Sequence, residues 1–453
     1  MKHRLYLWLA KKLYFPIARY FRFFASLVLK RWHPQIVVVM GSAGKSNAHN
    51  LFHQIITKKY SCRKSRKANS AFAIPLDVLD IHITNYSVEE WFWQALKVPF
   101  YSVFRCLFTF KEQYYVVELD VDRIGEMAFF ASFIKPEYVF WVSSYATHTA
   151  NFDKLVKLGK YQNPASAVAA EFAKMFGTSK KLVGMVNADS KFITESLRGY
   201  RFNRYDLKQR QGNYSFGSWQ IFRKRTTFKL KMDKEKPEIE LPFIAPKNFG
   251  YTLLAGYILA KLLKVSDRDF NEALSTYQFN PGICSILEGL NGTKIIDSSY
   301  NSSFYATKSL MEVLDEYPGK RKIAVLGDMR ELGMESEKQH QNLAKEILRL
   351  KFDQVVLVGP EMLQHAYPIL QKKYEETALH HFQNTYQAGL FIKERLLRPG
   401  DVVLLKASQN TLHFEIIAEL LLADPQDTAR LCRREPVWEK KRLQIKDEFY
   451  KLL

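Results

Sequence analysis

Short apolar runs rich in β-branched and aromatic residues recur along the chain, separated by longer stretches with helical periodicity. Ile36-Val-Val-Val-Met40, Tyr114-Tyr-Val-Val-Glu-Leu119, Tyr138-Val-Phe-Trp-Val-Ser143 and Leu182-Val-Gly-Met-Val186 each read as a buried strand. Runs of this length bounded by turn signals suit strands covered on both faces. Residues 249–263 read as an apolar helix, while residues 200–245 are basic and alternate in a β-like way, as in Phe228-Lys-Leu-Lys-Met232. The alternation begins again near residue 289. Lys294-Ile-Ile-Asp297, Lys322-Ile-Ala-Val-Leu326, Gln354-Val-Val-Leu-Val358 and Asp401-Val-Val-Leu-Leu405 are the strands of this second set, with a helix over 305–314 and helical pattern beside the others. Strands alternating with helical crossovers predict an α/β protein with parallel sheets. The expected layout is a central domain over 36–288 with a mostly parallel sheet, then a doubly wound, Rossmann-like domain over 289–423. Residues 424–453 read as a charged helical tail with no chemistry of their own.

Residues 1–35 follow a different pattern, with Lys2, Arg4, Lys11, Lys12, Arg19, Arg22, Lys30 and Arg31 and no acidic residue. On a helical wheel six of these cations fall within an arc of about 100°. Leucine, phenylalanine and tryptophan cover much of the remainder, and Pro16 predicts a kink or division of the helix. No uncharged run is long enough to cross a bilayer, and no small-residue cleavage site follows an apolar core. Two readings of this basic amphipathic helix stand. Residues 1–33 lie on an anionic membrane surface, which would place the protein in the cytoplasm against the inner membrane face, or they dock on the next domain.

Charge strengthens the case for an acidic partner. The formal charge is +21 over 453 residues, with an ordinary 47% of hydrophobic residues, so a membrane surface, a nucleic acid or a polyanionic substrate is implied. Basic runs such as Arg223-Lys-Arg-Thr-Thr-Phe-Lys229 come with no nucleic-acid motif, and they read as a solvated basic face. Cys62, Cys106, Cys284 and Cys432 are scattered without a C-x-x-C pair. That spacing argues against a zinc site or disulfide framework and fits a reducing compartment. A monomer is expected.

The first strand runs straight into Gly41-Ser-Ala-Gly-Lys-Ser-Asn47. Glycine lets the backbone curl its N–H groups toward an anion, a lysine reaches terminal phosphates, and a hydroxyl can ligate magnesium. The spacing Gly-x-x-Gly-Lys-Ser is two residues shorter than the usual nucleotide loop, so Gly41, Ser42, Ala43, Gly44, Lys45, Ser46 and Asn47 make a specialised version of it. Further candidates sit at strand ends: Glu118 on the second strand, His148 after the third, and Asn187-Ala-Asp189 after the fourth. Open parallel sheets bind ligands at their carboxyl edge, where these residues can converge.

The order of these motifs resembles the Mur ligase family over about residues 34–422. Ile296-Asp-Ser-Ser-Tyr-Asn301 resembles the family's Asp-Asp-x-Tyr-Asn junction. Ile323-Ala-Val-Leu-Gly-Asp-Met-Arg-Glu-Leu-Gly333 resembles its Gly-Asp-Met-x-Glu-Leu-Gly signature, with Ser336, Glu337 and His340 in matching positions. Gly400-Asp-Val-Val-Leu-Leu-Lys-Ala-Ser408 is similar to its last strand and loop, and Val117-Glu-Leu-Asp-Val-Asp-Arg-Ile-Gly-Glu126 to its Glu-Met-Gly-x-x-x-x-Gly-Glu segment. Lys67-Ala-Asn-Ser-Ala-Phe-Ala-Ile-Pro75 and Lys247-Asn248 resemble its Asn-rich stretch and its His-Asn pair.

The resemblance implies an ATP- and magnesium-dependent ligase that joins an amino acid or dipeptide amine to a carboxylate of a cell-envelope precursor through an acyl phosphate. Lys45 would clamp the β- and γ-phosphates and Ser46 one magnesium, with Glu118 and His148 on a second. Asn248, Asp297 and Asn301 would contact the nucleotide, Asn69 and Ser70 the precursor, and Asp328, Met329 and Glu331 the incoming amine. Several positions depart from the family. Its carbamylated lysine falls near Ala169, which leaves Glu171 as a candidate substitute carboxylate. Its phosphate-contacting arginine is Ile283, and the second aspartate of the junction is Ser298. The basic segment stands where the family has its UDP-holding N-terminal domain. A catalytically impaired, nucleotide-binding scaffold at the membrane is the alternative these losses leave open.

Overall fold

The computed structural model describes residues 2–66, 69–83, 88–145, 149–207, 214–232, 236–408 and 411–451. The chain forms two compact units, one of residues 1–215 and 251–276, the other of residues 216–250 and 277–453.

The first unit opens with helix α1 (Lys2–Trp32), which Pro16 does not divide. Ala18, Phe21, Ala25, Val28, Leu29 and Trp32 recur at helical spacing, and all are buried in the core of this unit. That stripe offsets the hydrogen bond lost at Pro16 and docks the helix on its own domain. Then come β1 (Gln35–Gly41), α2 (Lys45–Thr57), β2 (Cys62–Lys64), α3 (Ala73–Val78) and α4 (Val88–Leu107). They are followed by β3 (Tyr114–Leu119), α5 (Glu126–Ala131), β4 (Tyr138–Ser143), α6 (Asp153–Lys157) and α7 (Pro164–Ala173). β5 (Val183–Asn187), α8 (Lys191–Ser196) and β6 (Asn203–Tyr205) complete the run, and α9 (Phe249–Leu262) and α10 (Asp267–Ser275) return to this unit later in the chain. The strands pair in parallel in the order β2-β3-β1-β4-β5-β6. β1 is central and buried from Ile36 to Gly41, as expected for a parallel strand covered on both faces. Its register sets Val39 opposite Glu118, which fixes the carboxylate beside the turn that follows β1.

β7 (Tyr214–Ile221) starts beside β6 through Tyr205 and Tyr214 and carries the chain into the second unit. There it is followed by β8 (Thr226–Met232) and β9 (Glu238–Leu241), an antiparallel pair. Residues 216–250, read from the sequence with the central domain, pack with this unit. Trp219 and Ile221 lie against its core, and the Trp219 indole donates to the Ala245 carbonyl at 2.9 Å. The sheet of this unit comprises β10 (Ser285–Glu288), β11 (Lys294–Asp297), β12 (Lys322–Gly327), β13 (Gln354–Val358), β14 (Leu379–Phe382) and β15 (Val402–Lys406). The order is β10-β11-β15-β12-β13-β14, antiparallel only at β10–β11. Helices α11 (Phe304–Glu316), α12 (Ser336–Leu350), α13 (Tyr367–Leu370), α14 (Thr385–Phe391) and α15 (Glu415–Leu421) surround it. Along β12, Ala324 and Leu326 enter one core while Ile323 and Val325 enter another. This is the two-residue period of a strand covered on both sides, hence a doubly wound sheet. The tail forms α16 (Pro436–Tyr450).

Candidate functional site

The turn between β1 and α2 is drawn tight by glycine. Gly41 has φ +144, and a Cβ there would come within 2.6 Å of the Ser143 carbonyl oxygen at the end of β4. Gly44 has φ +78 in open space, so backbone conformation rather than crowding selects glycine there. Ser143 braces the turn: its hydroxyl donates to the Ala43 carbonyl at 2.7 Å and accepts from the Ala43 amide at 2.8 Å. Ser42 does the same for the loop after β4, donating to the Tyr145 carbonyl and accepting from the Tyr145 amide at 3.0 Å. Asn47 lies in the first turn of α2.

At the start of α2 the lysine and serine turn toward the end of β3. Ser46 Oγ donates to Glu118 Oε1 at 3.1 Å. Lys45 Nζ meets Asp120 Oδ2 at 2.8 Å, and both side chains are nearly buried. Burial opposes the charge on Lys45, but Asp120, Glu118 and Asp122 outweigh it and raise its pKa. Burial is also the main reason the Glu118 carboxyl is raised, against the pull of Lys45 and Ser46. A hydroxyl beside a carboxylate is an all-oxygen donor set that suits a small hard cation carrying its own waters and phosphate oxygens. The site therefore fits magnesium with a triphosphate. Among the described residues no group of three or more His, Cys, Asp or Glu side chains could hold a metal. His148 lies outside the described residues.

Glu171, the candidate substitute for the missing lysine, has partners of its own in this structure. It is buried on α7, where Oε1 accepts from the amides of Gly125 (3.0 Å) and Met127 (3.2 Å) and Oε2 pairs with Lys174. Those contacts fix the segment leading into α5 and leave no oxygen without a protein donor. Ser70 caps the turn before α3, its Oγ accepting from the Ala73 amide, and Asn69 is exposed beside it. The next residue ties this stretch to α1. Glu126 Oε1 accepts from the Ala71 amide and from the Tyr14 hydroxyl at 2.6 Å, while Oε2 accepts from the Asp122 and Arg123 amides.

In the second unit, Asp297 ends β11 fully buried. One oxygen accepts from the Ser299 amide at 3.1 Å, the other has no hydrogen-bond partner, and burial raises the carboxyl. Lys406, at the end of β15, donates to the carbonyls of Ser298 (3.1 Å) and Asn301. Burial lowers its pKa to about 8 despite Asp297. Asn248 places its amide 3.5 Å from Ser309 Oγ. After β12, Asp328 Oδ1 accepts from the Met362 amide at 2.9 Å, and burial lifts this carboxyl to about 6. His340 holds the following turn, with Nδ1 on the Ser336 carbonyl at 2.8 Å and Nε2 accepting from the Met329 amide at 3.0 Å. This pair of bonds needs the proton on Nδ1, and burial, which lowers the His340 pKa, favours the neutral ring. Glu331 takes φ +61 in the same turn.

Residues 284–409 match the family model described as Mur ligase, glutamate ligase domain. The C-terminal unit carries a Mur ligase domain. The chain is 24% identical over 349 residues to the UDP-N-acetylmuramoyl-tripeptide–D-alanyl-D-alanine ligase of Borreliella burgdorferi, covering 75% of this chain and 65% of that protein. It is 21% identical over 406 residues to the ligase of the same name from Buchnera aphidicola, covering 88% and 79%. The chain thus spans just under two thirds of the first of these relatives. The crystal structure of the MurF ligase from Thermotoga maritima in complex with ADP matches with a TM-score of 0.69 at 19% identity, over 89% of this chain and 83% of that one. At such identity the likeness establishes the fold, an α/β Mur ligase architecture with parallel sheets.

Against the Mur ligase pattern, two charged residues stand where sequence reasoning assigned no role. Asp120 occupies the glycine position of the Glu-Met-Gly segment and takes Lys45 as its partner. Its only sequence signal is that substitution. Arg433, in the tail, is buried against the junction, donating to the Ser299 and Tyr300 carbonyls and pairing with Glu415 at 2.8 Å. Nothing in the local sequence separates Arg433 from the solvated charges around it.

Proposed function

We propose that the chain is an ATP-dependent carboxylate–amine ligase acting in the cytoplasm on a peptidoglycan precursor. The named relatives suggest a UDP-N-acetylmuramoyl-tripeptide as carboxylate and D-alanyl-D-alanine as amine. The observation that carries this reading is the glycine turn that sets Lys45 and Ser46 at a helix start beside Glu118. In the reaction a precursor carboxylate oxygen attacks the γ-phosphorus of ATP and ADP leaves. The amine then attacks the acyl carbon, phosphate leaves, and the amine's extra proton passes to solvent.

Catalysis of this kind is mostly positioning and charge neutralisation. Lys45 supplies the cation for the transferring phosphoryl group, and to do so it must leave Asp120. Ser46 and Glu118 would hold magnesium, which neutralises charge on the phosphates when bound. Asn69 and Ser70 would meet the precursor. Asp328 is ionised above about pH 6 and suits an ammonium group.

The test is ADP release from purified protein with ATP, magnesium, the tripeptide precursor and the dipeptide. Release beyond one ADP per protein should require both substrates and vanish in Lys45→Ala. Sustained multiple-turnover release without the amine, or survival of turnover in Lys45→Ala, would refute the reading. Tight ATP binding with no turnover on any carboxylate would assign the chain to a nucleotide-binding scaffold instead.

A further inference from the structure

Helix α4 turns an apolar face to solvent. Phe92, Leu96, Phe100, Val103, Phe104 and Leu107 are all exposed, Phe100 by 77% and Leu107 by 74%. On a helical wheel these six fall within an arc of about 120°, opposite buried Val98 and Ser102. A contiguous apolar face of this size on a folded unit marks an interaction surface. α1 lies alongside. Its Tyr20 hydroxyl donates to the Ala95 carbonyl at 2.8 Å, and Arg31 donates to the Cys106 carbonyl eleven residues further along both helices. The equal offset shows that the two helices run parallel. α1 has a second set of apolar residues outside its docked stripe, namely Ile17, Tyr20, Phe23 and Leu27, all exposed. These two bonds hold α1 along the flank of α4 over eleven residues, so that each helix of the pair carries exposed apolar residues.

We propose that α1 and α4 together seat the protein on an anionic membrane leaflet, with the outer face of α4 entering the acyl region. Charge selects the occupant. Exposed Arg19, Lys30, Arg31, Lys97 and Lys111 border the apolar face, and residues 13–32 of α1 carry no acid. Glu89 and Glu90, in the first turn of α4, are the acids of that helix. A second copy of a chain of charge +21 would bring like charges together across the face, whereas anionic headgroups complement them. No helix among the described residues is long and apolar enough to cross a membrane, so the pair would lie in the interface rather than span it. This surface does not depend on the ligase reading.

The full-length protein should float with phosphatidylcholine vesicles containing phosphatidylglycerol, and bind vesicles of phosphatidylcholine alone about tenfold or more weakly. Brominated acyl chains should quench wild-type fluorescence, and Trp93→Phe, which removes the exposed indole on α4 beside Phe92, should remove most of that quenching. Phe100→Glu with Leu107→Glu should lower partitioning about a hundredfold, since each substitution withdraws a large apolar side chain from lipid. Quenching is read on a protein with its apolar face intact, so it decides the matter even if the double variant folds poorly. Failure of the wild type to bind anionic vesicles, quenching unchanged by Trp93→Phe, or unaltered binding by the folded double variant would overturn the proposal. So would a stable lipid-free dimer that the same two substitutions dissociate.

Discussion

Asp120→Asn probes the energetic centre of the glycine turn between β1 and α2. Lys45 and Asp120 form a contact of 2.8 Å with side-chain exposures of 8% and 10%. Removing one partner of a buried pair costs about 3–5 kcal/mol, because the remaining charge is left without compensation. Here Glu118 and Asp122 still act on Lys45, which places the expected loss at the lower end, about 3 kcal/mol. For a unit of this size that corresponds to a melting temperature lower by about 6–12 °C. The effect on nucleotide binding has the opposite sign. A triphosphate must take Lys45 from Asp120 in the wild type and also sit near that carboxylate. In the variant both costs are gone, so ATP with magnesium should bind about tenfold or more tightly, a gain of about 1.4 kcal/mol. Thermal melts with and without nucleotide, together with calorimetric titration at one fixed salt concentration, measure both quantities. An unchanged melt in the absence of nucleotide, or weaker ATP binding by the variant, would refute the competition argued for Asp120.

Three further outcomes follow from the same geometry. Gly41→Ala should cost about 3 kcal/mol or more in urea denaturation and abolish ATP binding, because its Cβ would press on the Ser143 backbone at a φ that disfavours alanine; wild-type stability would contradict this. Asp328 holds its proton to about pH 6 in the folded protein but only to about 3.9 when unfolded. The folded state therefore binds the extra proton across that window, so this group's contribution to stability should fall by about 3 kcal/mol as pH rises through it; because burial also raises Glu118, Glu126 and Asp297, Asp328→Asn should make the wild-type fall shallower by about that amount in denaturation curves. Tyr14→Phe removes a charge-assisted hydrogen bond of 2.6 Å to Glu126, so it should lower stability by about 1.5–2 kcal/mol, a loss readable by chemical denaturation.

Much of the fold was legible because strand signals here are local. The run before Gly41 is β-branched and ends on glycine, and the structure puts β1 in the sheet centre with its turn forced by Ser143. β11, β12, β13 and β15 fall on the expected runs for the same reason. The unread features depend on partners far along the chain. Asp120 drew no reading of its own inside a family-like segment, and only the pairing of β1 with β3 brings it to Lys45. α4 has so many aromatic residues that periodicity alone cannot say which side is inward. The docked stripe of α1 is hidden in the same way, since apolar residues occur on most of its circumference.

The N-terminal helix also bears on chemistry, through Glu126. That carboxylate gathers the Tyr14 hydroxyl from α1, the Ala71 amide beside the expected precursor contacts, and the amides of Asp122 and Arg123. Arg123 in turn lies 4.1 Å from the Tyr14 ring centre. Glu171 fixes the adjoining amides of Gly125 and Met127 from the other side. The segment from Asp120 to Met127 is thus held at several points between α1 and α7, with the partner of Lys45 at its leading end. A group bonded this fully is costly to displace, since each donor left without Glu126 would need a new acceptor in a buried setting. The position of α1 and the position of Asp120 relative to Lys45 are therefore coupled through one carboxylate. If the proposed membrane seat holds, a displacement of α1 by a lipid surface would be felt at the Lys45–Asp120 pair through Glu126.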